Sequence, residues 1–263
     1  MVKRLILFSF LISALVLSSC SKYQKLLKSS DNELKYNKSI EFYDKGEYYR
    51  AQQLFDQILV FFKGTDKAEK ISYYNAYCYY KQEDYILAGY YFNSFVSSFP
   101  TSQFAEECSF MSAFCSYKDS PIFSLDQTNT LAAISSLQLF INQYPNSQRL
   151  EQCNQLIDEL RDKLEKKALN IAMLYYRMDD YKATIISLNN LLKEYPDTKE
   201  REKVLFSLLD AKYKYAINSV PEKRKERFES AMEAYHVINS EYPSGAYAPQ
   251  ALNIQKNLLK EIK

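Results

Sequence analysis

Ala88-Gly89-Tyr90-Tyr91-Phe92-Asn93-Ser94-Phe95-Val96-Ser97-Ser98-Phe99-Pro100 is the stretch whose spacing decides the fold. Counting back 12, 8, 5 and 1 residues from Pro100 gives Ala88, Phe92, Phe95 and Phe99. The same count from three other prolines gives the same chemistry. Pro145 yields Ala133, Leu137, Phe140 and Tyr144; Pro196 yields Thr184, Leu188, Leu191 and Tyr195; Pro243 yields Ala231, Tyr235, Ile238 and Tyr242. A fifth copy, Ala51, Phe55, Ile58 and Phe62, has Lys63 in place of the proline. Offsets of 4, 7 and 11 share one face of an α-helix, and proline stands where that helix must stop.

A partner helix precedes each of these. A small residue is followed four positions later by tyrosine at Ser39/Tyr43, Ala76/Tyr80, Ala113/Tyr117, Ala172/Tyr176 and Ala211/Tyr215. The small residue leads the Ala or Thr of the next helix by 12, 12, 20, 12 and 20 residues. The third and fifth units therefore carry eight extra residues each, around 119–130 and 218–227, and Pro121 and Pro221 in them predict loops. Lys45-Gly46-Glu47-Tyr48 and Asp179-Asp180-Tyr181 read as the turns between paired helices.

From Pro145 to Ala172 the interval is 27 residues, against 13 at the first two junctions, and no Gly or Pro occurs between Asn146 and Met178. One long helix over 147–178 is the expectation. The stretch 246–262, with Leu252, Leu258 and Leu259, predicts a terminal capping helix, which shields the last apolar face of a repeat array. The pattern resembles the tetratricopeptide repeat. The predicted fold is thus all-α: a tetratricopeptide-repeat solenoid of five helix pairs plus a C-terminal capping helix.

The N-terminus reads as an address. Lys3 and Arg4 precede an unbroken apolar or small run, 5–17, too short to span a bilayer as a helix but suited to a signal-peptide core. Leu17-Ser18-Ser19-Cys20 resembles the bacterial lipobox, which implies a signal peptide over 1–19 and acyl chains on Cys20. Several such chains anchor a protein stably where one does not. Ser21 follows with no acidic run, which by analogy with lipoprotein sorting favours the periplasmic face of the outer membrane. Residues 20–30 are expected to be a lipidated tether, 31–146 a block of repeats 1–3, and 147–263 the long helix, repeats 4–5 and the cap.

Lys and Arg number 34 against 32 acidic residues, and without Lys3 and Arg4 the counts are equal. Such a chain offers no polybasic field for nucleic acid or anionic lipid. Catalytic chemistry finds no footing either. His236 is the one histidine and reads as an ordinary helix-surface residue; no phosphate loop, nucleophile elbow or zinc motif occurs, and no cofactor or metal is expected. Cys78, Cys108, Cys115 and Cys153 read as small core residues. Cys108 and Cys115 lie about 10.5 Å apart by helical rise, too far for a disulfide. A bond from Cys153 to another cysteine stays open at this stage.

Aromatic residues carry what functional content there is. With a 37-residue period, the first helices of units one to three present Tyr36, Ile40, Tyr43; Tyr73, Tyr77, Tyr80; and Phe110, Phe114, Tyr117. In tetratricopeptide arrays these helices line the concave groove. The resemblance therefore implies a peptide groove built from Tyr36, Tyr73, Tyr77, Tyr80, Phe110, Phe114 and Tyr117. Rigid rings of this kind give contact area with few rotors to freeze. For Tyr43, Tyr80 and Tyr117, core filling is an equal reading.

Taken in order, the lipobox, the five repeats, Tyr144-Pro145-Asn146-Ser147-Gln148 before the long helix and Leu174-Tyr175-Tyr176 at its end resemble the BamD family of outer membrane assembly lipoproteins. Glu194-Tyr195-Pro196-Asp197-Thr198 and Ser124-Leu125-Asp126-Gln127-Thr128 fit the same resemblance. It implies a non-enzymatic scaffold that docks on the periplasmic domains of a BamA-type barrel protein and helps receive unfolded outer membrane proteins. Ser187 stands where many members present a basic residue, so residue-level docking contacts are not carried over. Another periplasmic tetratricopeptide lipoprotein, serving cell-wall synthesis or division, is the alternative. An enzyme of the cell wall, the third class, would need an acid/base pair that the sequence does not show.

Overall fold

The computed structural model describes residues 22–262, and every regular element among them is an α-helix. The segment read as a signal peptide and Cys20 lie outside the described residues. The helices after a short turn at 22–27 are α1 (Asn32–Asp44), α2 (Tyr48–Ile58), α3 (Asp66–Lys81), α4 (Tyr85–Ser98), α5 (Ala105–Lys118) and α6 (Thr128–Gln143). They are followed by α7 (Leu150–Arg177), α8 (Tyr181–Glu194), α9 (Arg201–Ile217), α10 (Pro221–Glu241) and α11 (Ala248–Glu261). This is the all-α solenoid of helix pairs that the spacing predicts. The chain divides into two compact units: residues up to Pro121 with Thr128–Ile157, and Ile122–Gln127 with Asp158–Lys263. The division falls inside α7.

In the first unit each helix packs on the next, α1 through α6. The residues that set the repeat are its core: Ala51, Phe55, Ala88, Phe92, Ala133, Leu137 and Phe140 are all 1% exposed or less. Burying a Phe or Leu side chain contributes about 1.5–3 kcal/mol, so the recurring positions dominate stability. Gly89 shows why the helices need small residues where they cross. Its carbonyl accepts from Ser112 Oγ at 3.0 Å, and a Cβ there would sit 3.3 Å from Cys115 Cβ.

The turns within pairs follow one recipe. Gly46, Glu83 and Asp179 take left-handed backbone, φ 75°, 63° and 59°, to reverse the chain after the first helix. The next residue is the N-cap of the second helix; Asp84 and Asp180 fill that role by accepting from Leu87 N at 3.1 Å and Ala183 N at 3.0 Å.

Two expectations need correction. Residues 22–27 are helical, not a tether, because Tyr23 is buried against the first pair. Its hydroxyl lies 3.0 Å from both the Arg50 carbonyl and Gln53 Oε1, and its ring meets Phe42 edge-on at 5.5 Å. Buried Lys35 fastens the other end, donating to the Leu27 carbonyl at 3.0 Å and Gln57 Oε1 at 2.8 Å. A cation on the last carbonyls of a helix also meets the negative end of its dipole. The second correction is Pro221, which opens α10 rather than sitting in a loop. Proline suits the first helical position, whose N–H has no partner to lose, so the fifth unit's extra residues lengthen its second helix.

The third unit's extra residues do form a loop. Gln127, 6% exposed, gathers it by donating to the carbonyls of Ile122 and Leu125 at 2.8 and 3.0 Å. In the second unit, Lys166 stands 4.6 Å over the Phe123 ring and Lys167 donates to the Leu125 carbonyl. Leu169 and Ala172 of α7 share a core with Leu188 and Leu191 of α8 and Val204 of α9. Leu205, Leu209, Ala231, Tyr235, Ile254 and Leu258 form the last core, closed by α11. Arg201 makes a two-pronged contact with Glu241 at 2.6 and 3.0 Å. Among the described residues, Cys78, Cys108, Cys115 and Cys153 are buried free thiols, and His236 is exposed.

Candidate peptide-binding surface

The 37-residue period brings the rings of α3 and α5 into one array within the first unit. Tyr73 and Tyr77 are 4.9 Å apart, Tyr77 and Tyr80 6.3 Å, and Tyr80 and Phe114 6.4 Å between centroids. Phe114 stacks on Tyr117 at 5.7 Å and on Phe110 at 5.7 Å. Phe104, ahead of α5, adds a ring 4.6 Å from Tyr73. Tyr36 stands apart with Phe62, at 5.9 Å, under the ammonium of Lys67.

Glu107 organises the polar side of this array. The Tyr77 hydroxyl donates to it at 2.5 Å and the Tyr73 hydroxyl at 3.2 Å. Burial first, and then the Glu107 charge, push the Tyr73 phenol up to about 12 and the Tyr77 phenol further. Both remain neutral donors throughout the physiological range. Cations flank the rings: Lys118 lies 5.9 Å from Phe114 and 5.7 Å from Tyr85. Half-buried rings on rigid helices, with carboxylate and ammonium groups between them, suit an extended chain that offers apolar side chains and N–H donors.

Not every expected residue serves that role. Tyr36, Tyr73, Tyr77, Tyr80, Phe114 and Tyr117 are partly exposed, but Phe110 is 2% exposed. Phe110 packs on Phe140 at 5.6 Å beneath the guanidinium of Arg149 at 4.3 Å, so it is core and not ligand surface. Tyr43 fills the space between Tyr48 and Tyr74, at 5.5 and 4.8 Å. Among the described residues no group of three His, Cys, Asp or Glu is placed to hold a metal ion.

A second surface escapes the repeat pattern. Val60, Phe61 and Tyr90 are 69%, 66% and 65% exposed, and a cleft of about 700 Å³ opens beside Val60 and Tyr90. In its wall Asp56 accepts from Gln52 at 2.7 Å, Asn75 at 2.8 Å and Tyr79 at 3.2 Å, while Asn75 Oδ1 is buried without a partner. The signal was present in Leu59-Val60-Phe61-Phe62. Four consecutive apolar residues cannot all face one core at the end of a helix.

A protein-family model described as "YfiO: Outer membrane lipoprotein" matches residues 28–228, most of the chain and all of the aromatic array. The protein belongs to the YfiO family of outer membrane lipoproteins. No curated protein matches it. YfiO membership agrees with the resemblance drawn from the lipobox and the ordered repeats, and it makes the protein an outer membrane lipoprotein at the level of its family.

Proposed function

We propose that the protein is a non-enzymatic scaffold of the machinery that folds β-barrels into the outer membrane. Acyl chains on Cys20 hold it at the periplasmic face. The block 147–263 docks on the periplasmic domains of a BamA-type barrel protein. The block 31–146 receives unfolded outer membrane proteins across Tyr73, Tyr77, Tyr80 and Phe114. The observation that carries this reading is the joining of an outer membrane lipoprotein family to a half-buried aromatic array on α3 and α5.

Tagged protein drawn from membranes in mild detergent is expected to bring down a large membrane β-barrel protein with periplasmic repeats, near stoichiometrically. Removal of repeats four and five abolishes its recovery. Recovery of cell-wall or division proteins without a barrel would move the function to that alternative. For the groove, Tyr73→Ala with Tyr77→Ala is expected to weaken binding of a barrel protein's aromatic-terminated C-terminal peptide by about tenfold or more. Unchanged affinity would remove these residues from substrate reception.

A further inference from the structure

The equal numbers of positive and negative side chains in the mature chain conceal a local excess. Between the helical turn at 22–27 and α1 lies a cleft of about 490 Å³. Lys22, Lys25, Lys38 and Arg50 line it, with Tyr23 and the 42%-exposed Leu34, and no carboxylate is among its lining residues. Glu41 engages Lys38 at 2.6 Å and Glu47 engages Arg50 at 2.6 Å. The next nearest acids in sequence are occupied elsewhere: Asp31 accepts from Leu34 N at 2.8 Å, and Glu33 pairs with Lys67. Lys22 and Lys25 have no ion-pair partner among the described residues, so two uncompensated ammonium groups face the opening.

We propose that this cleft seats the phosphate of an anionic phospholipid headgroup. Its place in the chain is the deciding argument. Lys22 follows the acyl-bearing Cys20 by two residues, a span of at most about 7 Å. That is shorter than the screening length of about 8–10 Å at physiological salt, so Lys22 feels the surface charge of the leaflet that holds the acyl chains. The Tyr23 and Lys35 bonds fix the turn at 22–27 on α1 and α2, so the cations are held together instead of trailing on a flexible leader. Leu26 and Leu34 supply apolar contact beside the ammonium groups, as an interfacial site requires. Headgroup capture then orients the first repeat against the membrane, a task that acyl chains on a single residue do not perform. The location rests on acylation at Cys20, the anchor in the proposed function.

The test uses the full mature chain, 20–263, produced without acyl groups and with Cys20→Ser. It is floated with vesicles of phosphatidylcholine alone or with about 30% phosphatidylglycerol, in about 0.1 M salt. The expected result is binding to the phosphatidylglycerol vesicles only, lost in about 0.5 M salt. Lys22→Ala with Lys25→Ala lowers that partitioning by about tenfold or more, since each cation at an anionic surface is worth about fivefold. Lys223→Ala with Lys225→Ala, which removes the same charge from α10, leaves it unchanged. Equal binding to both vesicles, an unaffected Lys22/Lys25 variant, or displacement by about 5 mM inorganic phosphate at constant ionic strength would overturn the proposal. Mass spectrometry of the native mature N-terminus tests the anchor separately. An unacylated Cys20 would remove the lipoprotein reading without touching the vesicle result.

Discussion

Tyr73 and Phe110 occupy equivalent positions one 37-residue period apart, and the two positions have opposite fates. Tyr73 keeps one edge in solvent with its hydroxyl on Glu107, whereas Phe110 lies beneath Arg149 and against Phe140. Phe110→Ala should therefore cost about 3–5 kcal/mol in chemical denaturation, the range for emptying a buried aromatic site. Tyr73→Ala should cost clearly less and act mainly on ligand affinity. Glu107→Gln should lower the Tyr77 phenol without returning it to the ordinary value, because burial is the larger cause of its shift. Tyr73, also raised by Glu107 and held at about 12, should fall with it, and a difference ultraviolet titration of the variant against the parent should show an earlier phenolate rise. Which aromatic position becomes core was not legible in the sequence. Periodicity gives the face of a helix, but the covering residues come from elsewhere: Phe140 from the partner helix across the third unit's insertion, and Arg149 from the exit of that unit.

At the scale of the element, regular spacing made most helices legible. The long helix is expected over 147–178 and spans Leu150–Arg177, because a run without Gly or Pro has nothing to break it. Arg161→Pro should break it there, at about 3 kcal/mol or more and with a measurable loss of helical circular dichroism, where Arg161→Ala is nearly neutral. Pro221 was misread because a loop proline and a first-turn proline look alike until the N–H bonding pattern is known. The turn at 22–27 was hidden for another reason. Its stability comes from Arg50, Gln53, Lys35 and Gln57, which lie between 8 and 30 residues away. Lys35→Met should leave the Leu27 carbonyl and Gln57 unpaired at about 1–3 kcal/mol. Amide exchange in 22–28 should accelerate while α4 stays protected. Left-handed Glu83 gives the opposite sign. Glu83→Gly relieves backbone strain that glycine does not feel, less the added freedom of the unfolded chain, for a net gain of up to about 1 kcal/mol.

At the scale of the whole molecule, 24 tyrosines make stability sensitive to alkali. Burial, the leading cause, pushes the Tyr23 and Tyr73 phenols up to about 12, and those of Tyr43, Tyr77 and Tyr79 higher. A raised folded value keeps the proton on in the native state after the unfolded chain has lost it. The stability these groups contribute is complete below about pH 10 and is lost as pH rises from there through 12. Buried Tyr23 alone accounts for a slope of up to about 1.4 kcal/mol per pH unit. Denaturation midpoints measured at pH 8 and pH 11 should fall steeply between the two, and Tyr23→Phe should flatten part of the drop. The buried thiols extend this to the life history of the chain. Folded, Cys78, Cys108, Cys115 and Cys153 are sealed, and burial pushes the Cys108 and Cys115 thiols up to about 12, so oxidants find almost no thiolate to attack. A chain exported unfolded into an oxidising compartment has no such protection, and Cys108 and Cys115 are close enough in sequence to meet at once. On the proposed export route this sets a race between repeat assembly and misoxidation, in which Cys78 is sealed only once α3 packs on α2 and Cys115 only once α5 packs on α4.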